Sequence, residues 1–329
     1  MEEFLNAKIA VVIPCYKVKR HVLGVIAQIG LEVAVIYCVD DGCPEQSGKF
    51  IEAENRDPRV RVLYNPENRG VGGAVITGYK EAIKDGMKIA VKLDGDGQMD
   101  PSLLPRFVLP IMWGEADYAK GNRFFNPDDL EGMPTIRLFG NAVLSFLAKL
   151  SSGYWSSFDP TNGYTAVHTS ILKVMPLDKL SPRYFFETDM LFRLSILRAV
   201  VADVPMQAVY GDEISNLRIT RVVWPFFKGN MRNFWKRIVY NYFLRDFQLG
   251  SATLGLGVPL VLFAMIFGGS AWVHSYTSGM PATAGTVMLA GLSLFLGLQF
   301  LLTFLNFDIQ NVPKRTLHPL LEHLPGGHL

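Results

Sequence analysis

The chain has 329 residues, 49% of them hydrophobic, and its 32 Lys and Arg against 30 Asp and Glu give a formal net charge of +2 at pH 7. So small a charge gives no argument for nucleic-acid binding, and the length exceeds what one small domain needs. Three scattered cysteines, Cys15, Cys38 and Cys43, exclude a disulfide framework, and the lack of a CxxC pair argues against a zinc site.

Strand and helix patterns alternate along the first two thirds of the chain. The predicted strands are 8–13, 31–39, 60–64, 87–93, 117–121, 165–168 and 200–205. The predicted helices are 20–29, 45–55, 70–84, 101–113, 136–150 and 190–198. This alternation predicts an α/β fold with a mostly parallel sheet covered on both faces, and ligands at the carboxyl ends of its strands.

Two acids one residue apart follow the fourth predicted strand. Strand alternation places Asp94 and Asp96 on the same side of the chain, with Gly95 leaving space between them. Two carboxylates this close repel each other, and a divalent cation removes that repulsion. Oxygen ligands suit Mg²⁺ or Mn²⁺, which usually bind through one or two carboxylates and the phosphates of a substrate. The alternative is an ordinary solvated Asp-Gly turn.

A glycine-rich turn opens the third predicted helix. It does not match a dinucleotide fingerprint, because Val75 stands where the third glycine should be and the turn follows the third strand. Gly70, Gly72 and Gly73 would still allow a phosphate to approach the backbone near the start of a helix. Close packing of helix on sheet is the alternative reason for these glycines.

The last third of the chain has the composition of a membrane-associated segment. Residues 222–247 interleave aromatic and basic side chains, which suits a membrane–water interface, with single-strand nucleic-acid stacking as the alternative. Residues 249–273 and 282–307 carry no charge, and each stretch is long enough to span a bilayer. The alternative is a helical hairpin buried in a large soluble core, which would rarely lack charged residues over such a length. Basic residues before the first span and at Lys314-Arg315 predict that both chain ends face the cytoplasm.

Eight short motifs follow one another along the chain, at 13–16, 39–42, 68–72, 94–98, 121–123, 137–141, 159–164 and 187–189, and the two predicted spans come after them. Motifs in this order resemble those of the inverting family-2 glycosyltransferases, and within them the polyisoprenyl-phosphate glycosyltransferases, a group that includes dolichyl-phosphate mannose synthases and bacterial undecaprenyl-phosphate glucosyltransferases. One departure is Lys17-Val18, where family members often have Asn-Glu. The chain also lacks the Gln-x-x-Arg-Trp motif of processive polysaccharide synthases.

The resemblance implies roles for particular side chains. The implied nucleotide-binding residues are Pro14, Tyr16, Asp40, Gly72, Asp94 and Gln98, and the implied metal ligands for Mg²⁺ or Mn²⁺ are Asp94 and Asp96. The implied residues for an acceptor phosphate are Arg123, Arg137 and Asn141, and the implied catalytic acids are Asp96, Asp159, Glu187 and Asp189. A loop over the site is expected at Tyr210, Ser215 and Arg218.

The resemblance and the composition together predict a Rossmann-like nucleotide-diphospho-sugar transferase domain at 1–215, juxtamembrane amphipathic helices at 216–247, two membrane helices at 248–308 and a cytoplasmic tail at 309–329. The expected enzyme lies in the inner or plasma membrane with its site facing the cytoplasm. It moves a hexose from a UDP-sugar to undecaprenyl or dolichyl phosphate, with inversion. Alternatives are GDP-mannose as donor, diacylglycerol or a protein as acceptor, and a non-catalytic scaffold that senses nucleotide sugar. Relatives form oligomers, often tetramers.

Overall fold

The computed structural model describes residues 7–125, 135–207 and 219–322, with side chains from 139 and 223 onward in the helices that begin at 135 and 219. The chain divides into two compact units. The first contains residues up to Phe234 together with those from Pro313 onward, and the second is Trp235–Val312. The predicted loop residues Tyr210, Ser215 and Arg218 lie outside the described residues.

One sheet of seven strands organises the described part of the first unit. The strands are β1 (Ile9–Cys15), β2 (Val33–Asp41), β3 (Val60–Asn65), β4 (Ile89–Lys92), β5 (Tyr118–Asn122), β6 (Thr165–His168) and β7 (Val201–Pro205). Their order across the sheet is β3-β2-β1-β4-β6-β5-β7. The pairs among β1 to β4 and the β5–β7 pair are parallel, and β6 runs antiparallel to both β4 and β5. The prediction of a mostly parallel sheet is therefore confirmed.

Helices cover this sheet. They are α1 (Val22–Ala27), α2 (Ser47–Glu54), α3 (Val71–Lys84), α4 (Leu104–Met112), α5 (Thr135–Ser152), α6 (Thr169–Val174), α7 (Phe186–Leu197) and the long α8 (Ile219–Val239), which continues into the second unit. The strand residues Ile9, Val11, Ile36 and Val91 are fully or almost fully buried beneath them. Burial on both faces explains why these strands are continuous apolar runs rather than alternating ones.

The second unit is a pair of apolar helical segments. The first runs through α9 (Leu249–Phe263), a π-helical stretch Ala264–Gly268 and α10 (Gly269–Ser278), and the second is α11 (Ala284–Gln310). Both Leu249–Ser278 and Ala284–Gln310 are long and apolar enough to cross a membrane. At Gly297 an added Cβ would lie 2.8 Å from Val261 Cγ2, so the missing side chain permits close approach of α9 and α11.

A buried ion pair lies within this second unit. The Arg237 guanidinium donates to both carboxylate oxygens of Asp308, at 2.6 and 3.0 Å, and the Tyr242 hydroxyl donates to Asp308 Oδ1 at 2.5 Å. Arg237 and Asp308 are 3% and 4% exposed, so each charge depends on the other for compensation. This pair ties the end of α8 to the last turn of α11.

Residues after the second apolar helix pack on the first unit. Thr316 Oγ1 donates to the Gly114 carbonyl at 2.9 Å, and His318 donates through its backbone N–H to Asp117 Oδ1 at 2.8 Å. The short helix α12 (His318–Glu322) follows. The buried Asp117 carboxylate also accepts from the Val200 N–H, so one acid joins the tail to the start of β7.

Candidate active site

A cavity of about 1050 Å³ opens at the carboxyl ends of the parallel strands, where the α/β pattern predicts ligand binding. Its walls bring together residues from β1, the loop after β4, α5 and α7. The predicted site residues that line it are Pro14, Tyr16, Asp94, Asp96, Arg123, Asn141 and Glu187. More than 170 residues of sequence separate the first of these from the last, so the fold assembles the site from distant segments.

The two acids after β4 stand in different environments. Asp94 lies beside Lys92, whose ammonium Nζ is 3.0 Å from Asp94 Oδ1. Asp96 Oδ1 accepts from the Gln98 backbone N–H at 3.0 Å, which folds the Asp96–Gln98 stretch into a tight turn. Asp94 is therefore anchored by a buried cation, while Asp96 is anchored by the loop itself.

Glu187 enters the cavity from the first turn of α7. This helix begins at Phe186, four residues before its predicted start, so the backbone position of Glu187 is fixed by helical hydrogen bonding. Glu187 Oε1 lies 3.1 Å from Lys92 Nζ. Burial raises the pKa of Glu187, although the Lys92 ammonium opposes that change.

Asp189 lies two residues after Glu187 in the same helical turn, but its side chain has a different set of contacts. Its carboxylate accepts from the Ser181 N–H at 3.0 Å and from the Asn233 side-chain amide at 2.9 Å, and Arg193 Nε lies 3.3 Å away. The side chain is fully buried. These contacts tie α7 to α8 and to the segment before α7, and the catalytic role implied for Asp189 stays a prediction.

Asp159 and Arg123 form a bidentate pair. Arg123 Nε and one terminal nitrogen each lie 2.7 Å from a different oxygen of the Asp159 carboxylate. Asp159 has φ +54°, in the left-handed region, and Asn162 also donates to it at 3.0 Å. Burial works against ionisation, but the hydrogen bonds and charge of Arg123 outweigh it and hold the pKa of Asp159 below its usual range. Asp159 therefore orients Arg123 at the cavity wall.

This pair makes a prediction about stability. We expect Arg123→Met to lower the free energy of unfolding by about 3 kcal/mol, because it leaves the buried Asp159 carboxylate without its guanidinium partner. The folded-state pKa of Asp159 is depressed, so the pair's contribution is fully present above about pH 4 and is lost as pH falls through that lower value. Chemical denaturation of the chain in detergent at pH 7 and at successively lower pH measures both effects.

Arg61→Met is the matched control, because Arg61 is 60% exposed and pairs with Asp85 at 2.6 Å. Removing that surface pair should cost less than about 1 kcal/mol. Equal losses in the two variants would contradict the buried-pair account of Arg123.

Other predicted residues lie outside the described lining of the cavity. They are Asp40, Gly72, Gln98, Asp159 and Asp189. Asp40 accepts from the backbone N–H groups of Cys43 and Gly48 at 2.8 and 2.6 Å, which closes the turn into α2. An added Cβ at Gly72 would lie 2.6 Å from the Ser181 carbonyl oxygen, so this glycine serves close packing against the segment before α7. Arg137 lies in α5, but its side chain is not among those described.

The cavity also contains residues that sequence reasoning missed. Asp41 rather than Asp40 lines it, joined there by Lys92, Asn68, Arg183 and Tyr184. Asp41 accepts from the Arg69 and Gly70 backbone N–H groups at 3.1 and 2.7 Å, which holds the glycine-rich turn in place. A lysine inside an otherwise apolar buried strand was the one sequence signal that could have identified Lys92.

The acid pair fits a divalent cation. Carboxylate oxygens are the ligands that Mg²⁺ and Mn²⁺ prefer, and Asp94 and Asp96 both face the cavity. An added Cβ at Gly163 would lie 2.7 Å from Asp94 Oδ2 and 2.5 Å from Lys92 Nζ. The absence of a side chain at residue 163 therefore lets the Lys92 and Asp94 side chains approach this backbone closely at the edge of the cavity.

Comparison with known proteins extends these observations. Residues 10–175 match the family Glycosyl transferase family 2. The UDP-N-acetylglucosamine–dolichyl-phosphate N-acetylglucosaminyltransferase of Methanococcus voltae is 30% identical over 232 residues, which cover 66% of this chain and 92% of that protein. The undecaprenyl-phosphate mannosyltransferase of Micrococcus luteus is 30% identical over 176 residues, or 53% of this chain and 71% of that protein. The polyprenol monophosphomannose synthase of Mycolicibacterium smegmatis is 26% identical over 201 residues, or 60% and 75%.

The fold is also similar to that of a solved enzyme. Glucosyl-3-phosphoglycerate synthase from Mycobacterium tuberculosis, in complex with Mn²⁺, UDP and glucosyl-3-phosphoglycerate, superposes with a TM-score of 0.53 at 19% identity. The match covers 72% of this chain and 81% of that one. The sheet, the cavity at its carboxyl ends and these likenesses define the chain as a glycosyltransferase. Because the family match extends over half of its residues, the chain belongs to glycosyltransferase family 2.

Proposed function

We propose that this chain transfers a hexose from a nucleotide-diphosphate sugar to a polyprenyl phosphate, with inversion at the sugar carbon. UDP is the first choice of carrier and GDP the second. The relatives from Methanococcus and Micrococcus are named as transferases to dolichyl phosphate and undecaprenyl phosphate, and the relative from Mycolicibacterium is named as a polyprenol monophosphomannose synthase, which supports this class of acceptor. The two apolar helices support an enzyme that meets its acceptor in a membrane.

The observation that carries the proposal is the mixed lining of the cavity. The lining contains the acids Asp94, Asp96 and Glu187 together with apolar side chains. The apolar lining residues are Phe124, Leu144, Val223 and Phe226. An acceptor with a charged phosphate and a hydrocarbon chain matches such a mixture, whereas a wholly polar sugar acceptor would leave the apolar side chains without a partner.

The chemistry needs little help from a base. A phosphate monoester has a second pKa of about 6, so at neutral pH its oxygen is already a nucleophile. That oxygen forms a bond to the anomeric carbon as the bond from this carbon to the diphosphate oxygen breaks, and the nucleoside diphosphate leaves. The protein must therefore hold two anions on opposite faces of one carbon, which is a task of positioning and charge stabilisation.

Residues of this chain divide that task. Asp94 and Asp96 would hold a divalent cation, which when bound would neutralise the charge that develops on the leaving diphosphate. Arg123, oriented by Asp159, and Asn141 would bind the acceptor phosphate. Glu187 would accept a hydrogen bond from a sugar hydroxyl. On the positive-inside rule, the cavity would face the cytoplasm, where nucleotide sugars are available.

A transfer assay tests the proposal. The detergent-solubilised chain is incubated with radiolabelled UDP- and GDP-sugars and with undecaprenyl phosphate, dolichyl phosphate or diacylglycerol, with and without Mn²⁺. We expect label in a polyprenyl-phosphate product from at least one donor, and at least tenfold less without the metal. Transfer to diacylglycerol alone, or to no acceptor, would refute the proposed acceptor.

A further inference from the structure

Lys92 is a buried cation on β4, the central strand of the sheet, two residues before Asp94. Its side chain is 1% exposed and belongs to β4. The ammonium Nζ lies 3.0 Å from Asp94 Oδ1, 3.1 Å from Glu187 Oε1 and 3.1 Å from the Gly163 carbonyl oxygen. The two carboxylate contacts are ion pairs, and the contact with the Gly163 carbonyl is a hydrogen bond.

These three acceptors come from separate segments of the chain. Asp94 follows β4, Glu187 belongs to the first turn of α7, and Gly163 precedes β6. Two carboxylates within 3.1 Å of Nζ compensate the charge of this buried ammonium. The ammonium therefore sets the distance between the Asp94 carboxylate, a proposed metal ligand, and the Glu187 carboxylate, which is proposed to contact the sugar.

We propose that Lys92 is a positioning residue that holds the Asp94 and Glu187 carboxylates in their working places, and that its charge keeps divalent-cation binding at Asp94 weak until the nucleotide diphosphate arrives. The inference rests on the proposed function, because it assigns the two acids to donor and metal. Asp94 Oδ1 is out of contact with solvent, so Oδ2 is the oxygen left toward the space beside Gly163. A cation entering there meets the repulsion of the ammonium before it gains the attraction of the phosphates.

This role predicts opposite changes in two measured quantities. In Lys92→Met the repulsion is removed, so Mn²⁺ should bind the nucleotide-free protein about three- to tenfold more tightly. Sugar transfer should nevertheless fall at least about tenfold in kcat, because neither carboxylate is held in place. A lysine that only stabilised the fold would weaken Mn²⁺ binding and turnover together.

Two further variants separate charge from shape. Lys92→Arg keeps the positive charge, so its Mn²⁺ affinity should stay within about twofold of wild type even though the larger group disturbs turnover. Glu187→Gln leaves the ammonium with a single carboxylate, Asp94, and should therefore weaken Mn²⁺ binding, the reverse of Lys92→Met. This second comparison keeps the proposal testable even if Lys92→Met fails to fold.

Lys120→Met is the matched control. Lys120 is another lysine inside a strand, 2% exposed and 3.2 Å from Asp203, and it lies outside the described lining of the cavity. Its loss should lower thermal stability while leaving Mn²⁺ affinity unchanged. Binding is measured by electron paramagnetic resonance titration of Mn²⁺ into the full chain in detergent without nucleotide, and turnover with the donor identified in the transfer assay.

The outcomes distinguish this inference from the proposed function. Unchanged or weaker Mn²⁺ binding in Lys92→Met, or tighter binding in Glu187→Gln, would overturn the role of Lys92. The absence of Mn²⁺ binding in both wild type and Lys92→Met would overturn it as well. A wild-type chain that binds Mn²⁺ with the predicted pattern but transfers no sugar to a polyprenyl phosphate would refute the proposed function and leave the charge effect of Lys92 standing.

Discussion

Replacement of Asp96 by asparagine is expected to lower the rate of sugar transfer by about 10²- to 10³-fold while leaving the fold intact. Asp96 faces the cavity from a loop, and its Oδ1 accepts from the Gln98 N–H at 3.0 Å, a contact that an asparagine oxygen can also accept. The substitution therefore removes a charge from the proposed metal site without removing the turn. The measurements are kcat with radiolabelled donor and the temperature of thermal unfolding.

Asp94→Asn should show a different pattern. Asp94 is one of the two carboxylates that compensate the buried Lys92 ammonium, so neutralising it should lower activity and should also lower the free energy of unfolding, by on the order of 2–3 kcal/mol.

The matched control for both substitutions is Asp100→Asn, on the same loop, where an exposed acid accepts from the Ser102 N–H at 2.8 Å. We expect near-normal transfer in that variant. More than about a tenth of wild-type turnover in Asp96→Asn would contradict a catalytic role for Asp96.

Local sequence signals were enough to predict much of the fold and the place of the cavity. Buried parallel strands are continuous apolar runs, so their existence and their places along the chain follow from the sequence pattern, and ligands of such sheets bind where the strands end. Asp94 and Asp96 could be found because they directly follow the apolar run of β4, at the end of the strand where ligands of such sheets bind. The antiparallel placement of β6 between β4 and β5 depends on pairings across distant segments, which periodicity does not encode.

Neighbouring acids at the end of β2 show where sequence reasoning reaches its limit. Asp40 and Asp41 have the same chemistry, and only the geometry of the turns that follow decides which one meets the cavity. Asp40 closes the turn into α2, while Asp41 holds the turn into α3 and lines the cavity. Lys92 was overlooked for a related reason. One lysine changes the hydrophobicity of a strand little, and the role of this lysine depends on its contact with Glu187, which the fold brings from a distant segment of the chain.

Gly163→Ala should reduce sugar transfer by about 100-fold, although it adds a single methyl group. The new Cβ would lie 2.5 Å from Lys92 Nζ and 2.7 Å from Asp94 Oδ2, closer than real Cβ contacts, so the lysine and the carboxylate must both move. Displacement of a reacting geometry by about 1 Å can cost that much in rate. The measurement is kcat/KM for the donor, compared with Mn²⁺ affinity in the same variant, which should also change because Asp94 has moved.

Gly24→Ala supplies the matched control for this substitution. Gly24 lies inside helix α1, and an added Cβ there meets nothing within 4 Å. Alanine has the higher helix propensity, so this variant should keep full activity and gain up to about 1 kcal/mol of stability. If Gly163→Ala were as active as Gly24→Ala, the space beside Asp94 would have no part in catalysis. Loss of activity with unchanged stability and secondary structure would instead place the effect at the carboxylate, because a general packing defect would lower the unfolding temperature as well.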